Sequence, residues 1–262
     1  MAKKICFSNQ KGGVGKTASA QHLIAFLAGR GYKVLGVDLD AQMNLSMLFD
    51  IDCSEYEGDG GMSGKTIYQV MKGKSIEEVV LKGVKPNVDF ICGSLSLSSA
   101  DGEFPGVAGL MRLKNALREV EDNYDYVIMD CSPTLGKMTT NALIASDGVI
   151  IPYQVGCLTK VGGVQLYQAI KEVRENVNPG LKVYGILVTM YDTRTKVSKK
   201  TVLDAEMLAQ IVGTKVFDAK IRASSKMREL ADTGMDIFEF APNSTSAKDY
   251  IQFGEEILKG EM

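Results

Sequence analysis

Residues 3–29 read KKICFSNQKGGVGKTASAQHLIAFLAG, and this stretch decides the fold. Its first residues, KKICFS, form an apolar run typical of a buried strand. After the loop, apolar residues recur at helical spacing, at Ala20, Leu23, Ile24 and Leu27. The glycines in between let successive backbone N–H groups curl inward, and the start of the following helix adds partial positive charge. A strand, a glycine-rich loop and a helix in this order predict a phosphate-binding loop.

The tripeptide Gly-Lys-Thr occurs twice, at residues 15–17 and 64–66. Neither copy has the glycine that the standard pattern places five residues earlier, because Gln10 and Asp59 stand there. The second copy follows no strand, and the Asp59 carboxylate would repel a phosphate. Thr66 is predicted to cap the helix that follows it. The first copy is therefore the predicted phosphate site.

Further apolar runs alternate along the chain with segments of helical periodicity. The predicted strands are KKICFS, YKVLGVD, NVDFIC, YDYVIMD, DGVIIPYQ, KVYGILVT and KVFD. Helical spacing follows the first loop and returns over residues 110–120 and 161–173. This order predicts an α/β fold, with a mostly parallel, twisted sheet covered by helices on both faces. We expect residues 1–262 to form one domain, with a surface excursion at residues 52–65.

The composition is that of an ordinary globular protein of 262 residues, 45% of them hydrophobic, with a formal net charge of −2. No apolar run approaches the ~20 residues of a membrane span, and the N-terminus lacks a signal peptide's apolar stretch. A cytoplasmic protein that does not bind membranes is expected. The single histidine, His22, suits packing better than a Ser-His-Asp triad. Without a C-x-x-C pair, the cysteines are expected in the core, at Cys6, Cys53, Cys92, Cys131 and Cys157.

Three aspartates follow predicted strands. Asp38 ends one strand, Asp40 lies two residues later, and Asp130 ends another strand. The carboxyl ends of parallel strands gather at one edge of a sheet, beside the loop that follows the first strand. Carboxylates placed there hold Mg²⁺ and position water for phosphoryl transfer. We therefore predict that the three carboxylates converge on one bound nucleotide.

These motifs resemble those of a known family. KGGVGKT, with a lysine at its start, resembles the deviant Walker A motif of the ParA, MinD and NifH class of P-loop ATPases. DLDAQ (38–42) is similar to the D-x-D-P-Q segment of the ParA branch, and DCSPTL (130–135) to its Walker B stretch. LVTMYD (187–192) also resembles ParA and Soj partition ATPases. The chain departs from the family at Ala41, usually proline, and at residues 218–220, where Asp-Ala-Lys replaces the Pro-Arg-Asn that many relatives carry next to the adenine.

The resemblance implies roles for individual residues of an Mg²⁺-dependent ATP hydrolase. Lys11 would reach across an ATP-bound sandwich dimer to the partner's phosphates, while Lys16 would hold the phosphates of its own subunit. Asp40 would orient the attacking water. The implied Mg²⁺ ligands are Thr17 directly and, through the water shell, Asp38 and Asp130. The implied nucleotide-binding residues are Lys11, Gly12, Gly13, Val14, Gly15, Lys16, Thr17 and Ala18.

Charge is distributed unevenly along the chain. Nine Lys or Arg residues stand against four acids in residues 190–228, whereas two lysines stand against eight acids in residues 229–262. A clustered basic segment in an acidic protein is the footprint expected of nonspecific contacts with DNA phosphates. The candidate DNA-binding residues are Arg194, Lys199, Lys200, Arg222 and Arg228.

Other branches of the class are disfavoured. Anionic lipid would repel the acidic C-terminus, unlike the basic amphipathic helix of MinD-like proteins. No second cysteine gives Cys131 a recognisable iron–sulfur spacing, and there is no tyrosine-rich tail like that of the tyrosine kinases. The motif begins about ten residues into the chain, so we expect no N-terminal helix-turn-helix extension of the kind found in larger ParA proteins.

The sequence therefore favours the ATPase of a DNA-partition system, associated with the nucleoid in the cytoplasm. In this hypothesis ATP closes a homodimer, which binds double-stranded DNA nonspecifically. A ParB-like, centromere-binding partner then stimulates hydrolysis. The alternative is a MinD- or ParA-like ATPase that positions or assembles a protein cargo without segregating DNA.

Overall fold

An eight-stranded sheet runs through the computed structural model, which describes residues 1–58, 64–104, 106–155, 160–230 and 233–260. In chain order the strands are β1 (Lys3–Phe7), β2 (Val34–Leu39), β3 (Leu81–Lys85), β4 (Val88–Ile91), β5 (Tyr126–Cys131), β6 (Gly148–Gln154), β7 (Lys182–Tyr191) and β8 (Val216–Arg222). Their order across the sheet is β3-β4-β2-β5-β1-β6-β7-β8. Every neighbouring pair is parallel except β3 with β4. The predicted α/β class is confirmed.

All seven predicted strands are present, and the sequence prediction missed β3. This short edge strand pairs antiparallel with β4 through a tight turn at Pro86 and Asn87, where Asn87 adopts a φ of 61°. Its residues are at most partly buried, so LKGVK lacks the continuous apolar run of an inner strand. Exposed lysines on such an edge discourage pairing with another chain.

Helices cover both faces of the sheet. They are α1 (Lys16–Gly29), α2 (Asn44–Leu48), α3 (Ile67–Lys72), α4 (Ala100–Glu103), α5 (Gly106–Leu110), α6 (Arg112–Leu117), α7 (Lys137–Ala145), α8 (Lys160–Asn176), α9 (Lys196–Val212), α10 (Ser225–Glu229), α11 (Ile237–Phe240) and α12 (Thr245–Lys259). Buried side chains of α3, α6, α7, α8 and α9 form one core cluster with one face of the sheet. Those of α1 and α12 form a second cluster with the other face.

The helix predicted across residues 110–120 is interrupted. α5 and α6 meet at Met111, and α6 ends at Leu117. Leu113, Leu117 and Val120 are nevertheless buried, as their spacing implied. The helix predicted over residues 161–173 lies within α8. Within the described ranges, no helix is long and apolar enough to cross a bilayer.

Thr66 lies at the start of α3, as predicted for a helix cap. The side-chain oxygen of Gln69 accepts the backbone N–H of Thr66 at 3.3 Å, which is one half of a capping box. The preceding part of the second copy, residues 59–63, and Cys157 lie outside the described residues. The other four cysteines are free and buried, as expected: Cys6, Cys53, Cys92 and Cys131.

Candidate functional site

The loop between β1 and α1 forms an open cradle. Gly13 and Gly15 have φ angles of 75° and 85°, a conformation that glycine adopts without strain. A Cβ atom added at Gly12 or Gly13 would meet no atom within 4 Å, so space for a ligand lies in front of the loop. Gly15 is the N-cap residue of α1, whose first N–H groups have no partner within the helix. This cradle fits a phosphate group.

The two lysines of the loop lie in different environments. Lys16 is 6% exposed, and its ammonium donates to the carbonyl oxygen of Lys11 at 3.2 Å. Burial lowers the pKa of Lys16, and the negative charge of Asp130 is the strongest opposing influence. The Lys11 side chain is exposed and makes no hydrogen bond or ion pair with any described residue. Lys16 thus faces the cradle, whereas Lys11 is free to reach another molecule.

Asp130 lies on β5 in register with Asp38 on β2. Both carboxylate oxygens of Asp130 are buried, without a hydrogen-bond partner in the described part of the chain. Burial raises the pKa of Asp130 well above its usual range and the charge of Asp38 adds to this; the nearby Thr17 hydroxyl and Lys16 ammonium oppose it, although neither makes a hydrogen bond of ordinary geometry to the carboxylate. A buried carboxylate without partners is unfavourable unless a cation or water satisfies it. Asp130 beside Thr17 therefore fits a hydrated Mg²⁺.

Asp38 is bound by the protein's own donors. Its oxygens accept the N–H of Asp40 at 3.1 Å, and the N–H and hydroxyl of Ser46 at 2.9 and 2.8 Å. Burial still raises the pKa of Asp38 to about 6. Asp38 thus anchors both the start of α2 and the turn that carries Asp40. Asp40 accepts the N–H of Gln42 at 3.0 Å and lines a cleft of about 370 Å³ between the ends of β2 and β5.

A larger cleft of about 670 Å³ opens in front of the loop. Its floor comes from the loop and α1, with Gly13, Gly15, Lys16, Thr17 and Ala18. Apolar side chains on its walls are Met47, Leu48, Met190, Met227 and Leu230. The Asp-Ala-Lys segment at residues 218–220 does not line this cleft. Instead, the N–H groups of Asp218 and Ala219 donate to Glu256 of α12 at 2.8 and 2.6 Å.

Two of the predicted DNA-binding residues lie close together in the fold. Tyr191, the last residue of β7, is in register with Arg222 of β8, and Arg194 lies three residues after Tyr191. Arg194 is 86% exposed and pairs with Asp192, while Arg222 forms a bidentate ion pair with the buried carboxylate of Asp249. The other three candidates are exposed on the helices that follow these strands, Lys199 and Lys200 on α9 and Arg228 on α10.

Two residues outside the motif hold the loop in place. Asn9 donates to the carbonyl of Pro152 at 2.6 Å and accepts the N–H of Lys11 at 3.1 Å. Thr189 of β7 donates to the carbonyl of Val14 at 2.9 Å. The sequence carries no local sign of the Thr189 contact, since 175 positions separate the two residues. Asn9 lies two residues before Lys11, and asparagine commonly closes a turn onto the residue two positions later.

Known proteins are similar to this chain over nearly its whole length. A family model described as an AAA domain matches residues 2–183. The chromosome-partitioning ATPase Soj of Treponema pallidum is 36% identical over 98% of both chains. The sporulation initiation inhibitor protein Soj of Bacillus subtilis is 33% identical, again over 98% of both. Among solved structures, cobyrinic acid a,c-diamide synthase of Mycobacterium smegmatis with bound ADP and magnesium is 27% identical, with a TM-score of 0.83 over 99% of this chain and 95% of that one.

Proposed function

This chain belongs to the ParA/Soj family of P-loop ATPases, and from that premise we propose that it is the ATPase of a DNA-partition system. The family membership makes it an ATP-hydrolysing enzyme, of a type that uses ATP with Mg²⁺. In the proposed cycle ATP closes a homodimer that binds double-stranded DNA nonspecifically, and a ParB-like partner stimulates hydrolysis. The observation that carries the proposal is the open, lysine-bearing loop beside the unpartnered carboxylate of Asp130.

Each residue of the site has a distinct part in this proposal. The N–H groups of residues 12–18 and the ammonium of Lys16 bind the phosphates of ATP. Thr17 would ligate Mg²⁺ directly and Asp130 would hold it through its water shell; the bound ion would neutralise phosphate charge. Asp38 contributes through the water shell and by fixing the turn at Asp40. Asp40, which lines the cleft between the ends of β2 and β5, would orient the attacking water.

Lys11 supports the dimeric part of the proposal. Its ammonium is exposed and has no partner in the described structure, and the residue stands at the start of the phosphate-binding motif. In a face-to-face homodimer it would donate to the phosphates bound by the other subunit. Negative charge on the transferred phosphoryl group would then be stabilised from both subunits. Hydrolysis would therefore depend on dimerisation.

The basic residues after β7 and β8 support DNA binding by that dimer. They follow the carboxyl ends of parallel strands, so they lie at the same sheet edge as the loop after β1. A dimer doubles the number of cations that can contact DNA phosphates, which strengthens binding and makes it steeply dependent on salt. We further propose that residues 1–262 act as one domain, and that the protein works on the nucleoid in the cytoplasm.

Retardation of a random-sequence duplex in a native gel tests this function. The duplex is incubated with ATP and Mg²⁺, with ADP, or without nucleotide, each at a low and a high salt concentration. We expect a shift with ATP at low salt that weakens at high salt, and no shift for Lys16→Ala. The ion pairs of Arg194 and Arg222 reduce the positive charge available to DNA. They favour, as the second candidate function, an ATPase that positions or assembles a protein cargo. Absence of an ATP-dependent shift at low salt would select that candidate.

A further inference from the structure

The side chain of Asn9 connects three parts of the site. It lies two residues after the end of β1, is 6% exposed, and uses both ends of its amide. Its nitrogen donates to the Pro152 carbonyl on β6, and its oxygen accepts the N–H of Lys11. The backbone at residue 11 is thereby linked through one buried side chain to β6, the strand next to β1.

The peptide groups on either side of Lys11 are held by two different residues. Asn9 binds the N–H at 3.1 Å, and the Lys16 ammonium binds the carbonyl oxygen at 3.2 Å. A triphosphate in the cradle competes for the Lys16 ammonium, because a hydrogen bond between two charged groups is stronger than one to a neutral carbonyl. Asn9 then remains the fixed attachment of residue 11.

We infer that Asn9 is a positioning residue for Lys11, setting the point from which this lysine reaches the phosphates of a second subunit. Asn9 itself does not touch the nucleotide. The inference rests on the proposed role of Lys11 between subunits. A displacement of about 1 Å at a reacting group lowers rates by on the order of 100-fold. Loss of the Asn9 amide should therefore reduce turnover far more than nucleotide binding, which depends on later residues of the loop.

The test compares Asn9→Ala with a matched control, Ser8→Ala. Ser8 lies at the same strand end, is 1% exposed, and its hydroxyl has no partner among the described residues. Single-turnover ATP hydrolysis and the affinity of the monomer for a fluorescent ATP analogue are measured for both. We expect Asn9→Ala to hydrolyse at least ~10-fold more slowly with affinity within about twofold of wild type, and Ser8→Ala to match wild type. An unchanged rate, or an affinity that falls as much as the rate, overturns the inference.

Two further variants separate positioning from a general loss of structure. A serine can accept an N–H two residues ahead, so Asn9→Ser should retain more of the hydrolysis rate than Asn9→Ala; equal losses argue against the inference. Combining Asn9→Ala with Lys11→Ala should slow hydrolysis no further than Lys11→Ala alone. Additive losses refute the role of Asn9 and leave the proposed function intact. A wild-type rate for Lys11→Ala instead refutes the role of Lys11 in the dimer.

Discussion

The buried carboxylate of Asp130 is electrostatically unfavourable in the nucleotide-free protein. Its carboxylate is buried, has no partner in the described structure and faces Asp38, so ionisation at neutral pH destabilises the nucleotide-free protein. Asp130→Asn removes this charge while keeping the shape. We expect the variant without nucleotide to melt at a higher temperature, by about 2–4 °C for each kcal/mol regained, and to lose ATP hydrolysis.

Differential scanning fluorimetry at two pH values checks this expectation. The folded-state pKa of Asp130 is raised, so wild type regains stability relative to Asp130→Asn as the pH falls and the carboxyl is protonated. The gap in melting temperature should therefore be larger at pH 7 than at pH 5. A lower melting temperature for the variant at pH 7 would show that Asp130 is satisfied in the free protein.

His22 makes the packing behind the loop sensitive to acid. Its ring stacks on Tyr250 at 4.4 Å between centroids, its Nε2 accepts the N–H of Ile237 at 3.1 Å, and burial lowers its pKa to about 4. A histidine of ordinary pKa 6.5 binds a proton in the unfolded chain first, so wild type loses stability as the pH falls from 6.5 towards 4.

Urea unfolding of wild type and His22→Phe over this pH range isolates the contribution of His22. At pH 7.5 the variant should be less stable by about 1–3 kcal/mol, because the Ile237 N–H loses its acceptor. The difference should shrink by about 1.5 kcal/mol between pH 6.5 and pH 5. A difference that stays constant with pH would mean that His22 binds its proton as readily in the folded protein as in the unfolded chain.

The two Gly-Lys-Thr segments both precede helices, but the threonine has a structural role in one and a proposed role in hydrolysis in the other. Thr66 caps the short helix α3, whereas Thr17 lies in the first turn of α1 beside Asp130. Thr66→Ala should lower the free energy of unfolding by about 1 kcal/mol, because the Thr66 side chain accepts the backbone N–H of Gln69, and should leave hydrolysis unchanged. Thr17→Ala should do the reverse, with near-native stability and a loss of hydrolysis. Urea titration and phosphate release measured on both variants check the pair, and a loss of hydrolysis in Thr66→Ala contradicts it.

The ion pair between Arg222 of β8 and Asp249 of α12 stabilises the fold. In the proposed function it also reduces the positive charge available to DNA. Asp249 is 6% exposed and accepts from both the backbone and the guanidinium of Arg222. Asp249→Asn should release the charge of Arg222, destabilising the fold and strengthening ATP-dependent DNA binding several-fold at low salt. Fluorescence anisotropy with a labelled duplex measures this affinity. Weaker binding by Asp249→Asn would place the DNA elsewhere on the surface.

Across the whole molecule, the sequence predicted those features whose signals are local. The loop, its strand and its helix are consecutive, and the aspartates end apolar runs, so the sheet and most of the site could be derived. The contact of Thr189 with the loop and the apolar wall formed by Met190 and Met227 could not, because they depend on which strands become neighbours. The sequence did not predict β3, because this strand has no continuous apolar pattern and its pairing with β4 depends on the turn at Pro86.

The central claim is an ATP-dependent dimer in which each subunit contributes Lys11 to the site of the other. Sedimentation velocity of Asp40→Ala tests it most directly, because this variant should bind ATP without consuming it. With ATP and Mg²⁺ it should sediment at twice the monomer mass. With ADP it should sediment as a monomer. The double variant that also carries Lys11→Ala should be monomeric even with ATP. A variant that stays monomeric with ATP at every concentration, or a dimer that still forms when Lys11 is replaced by alanine, would contradict the account.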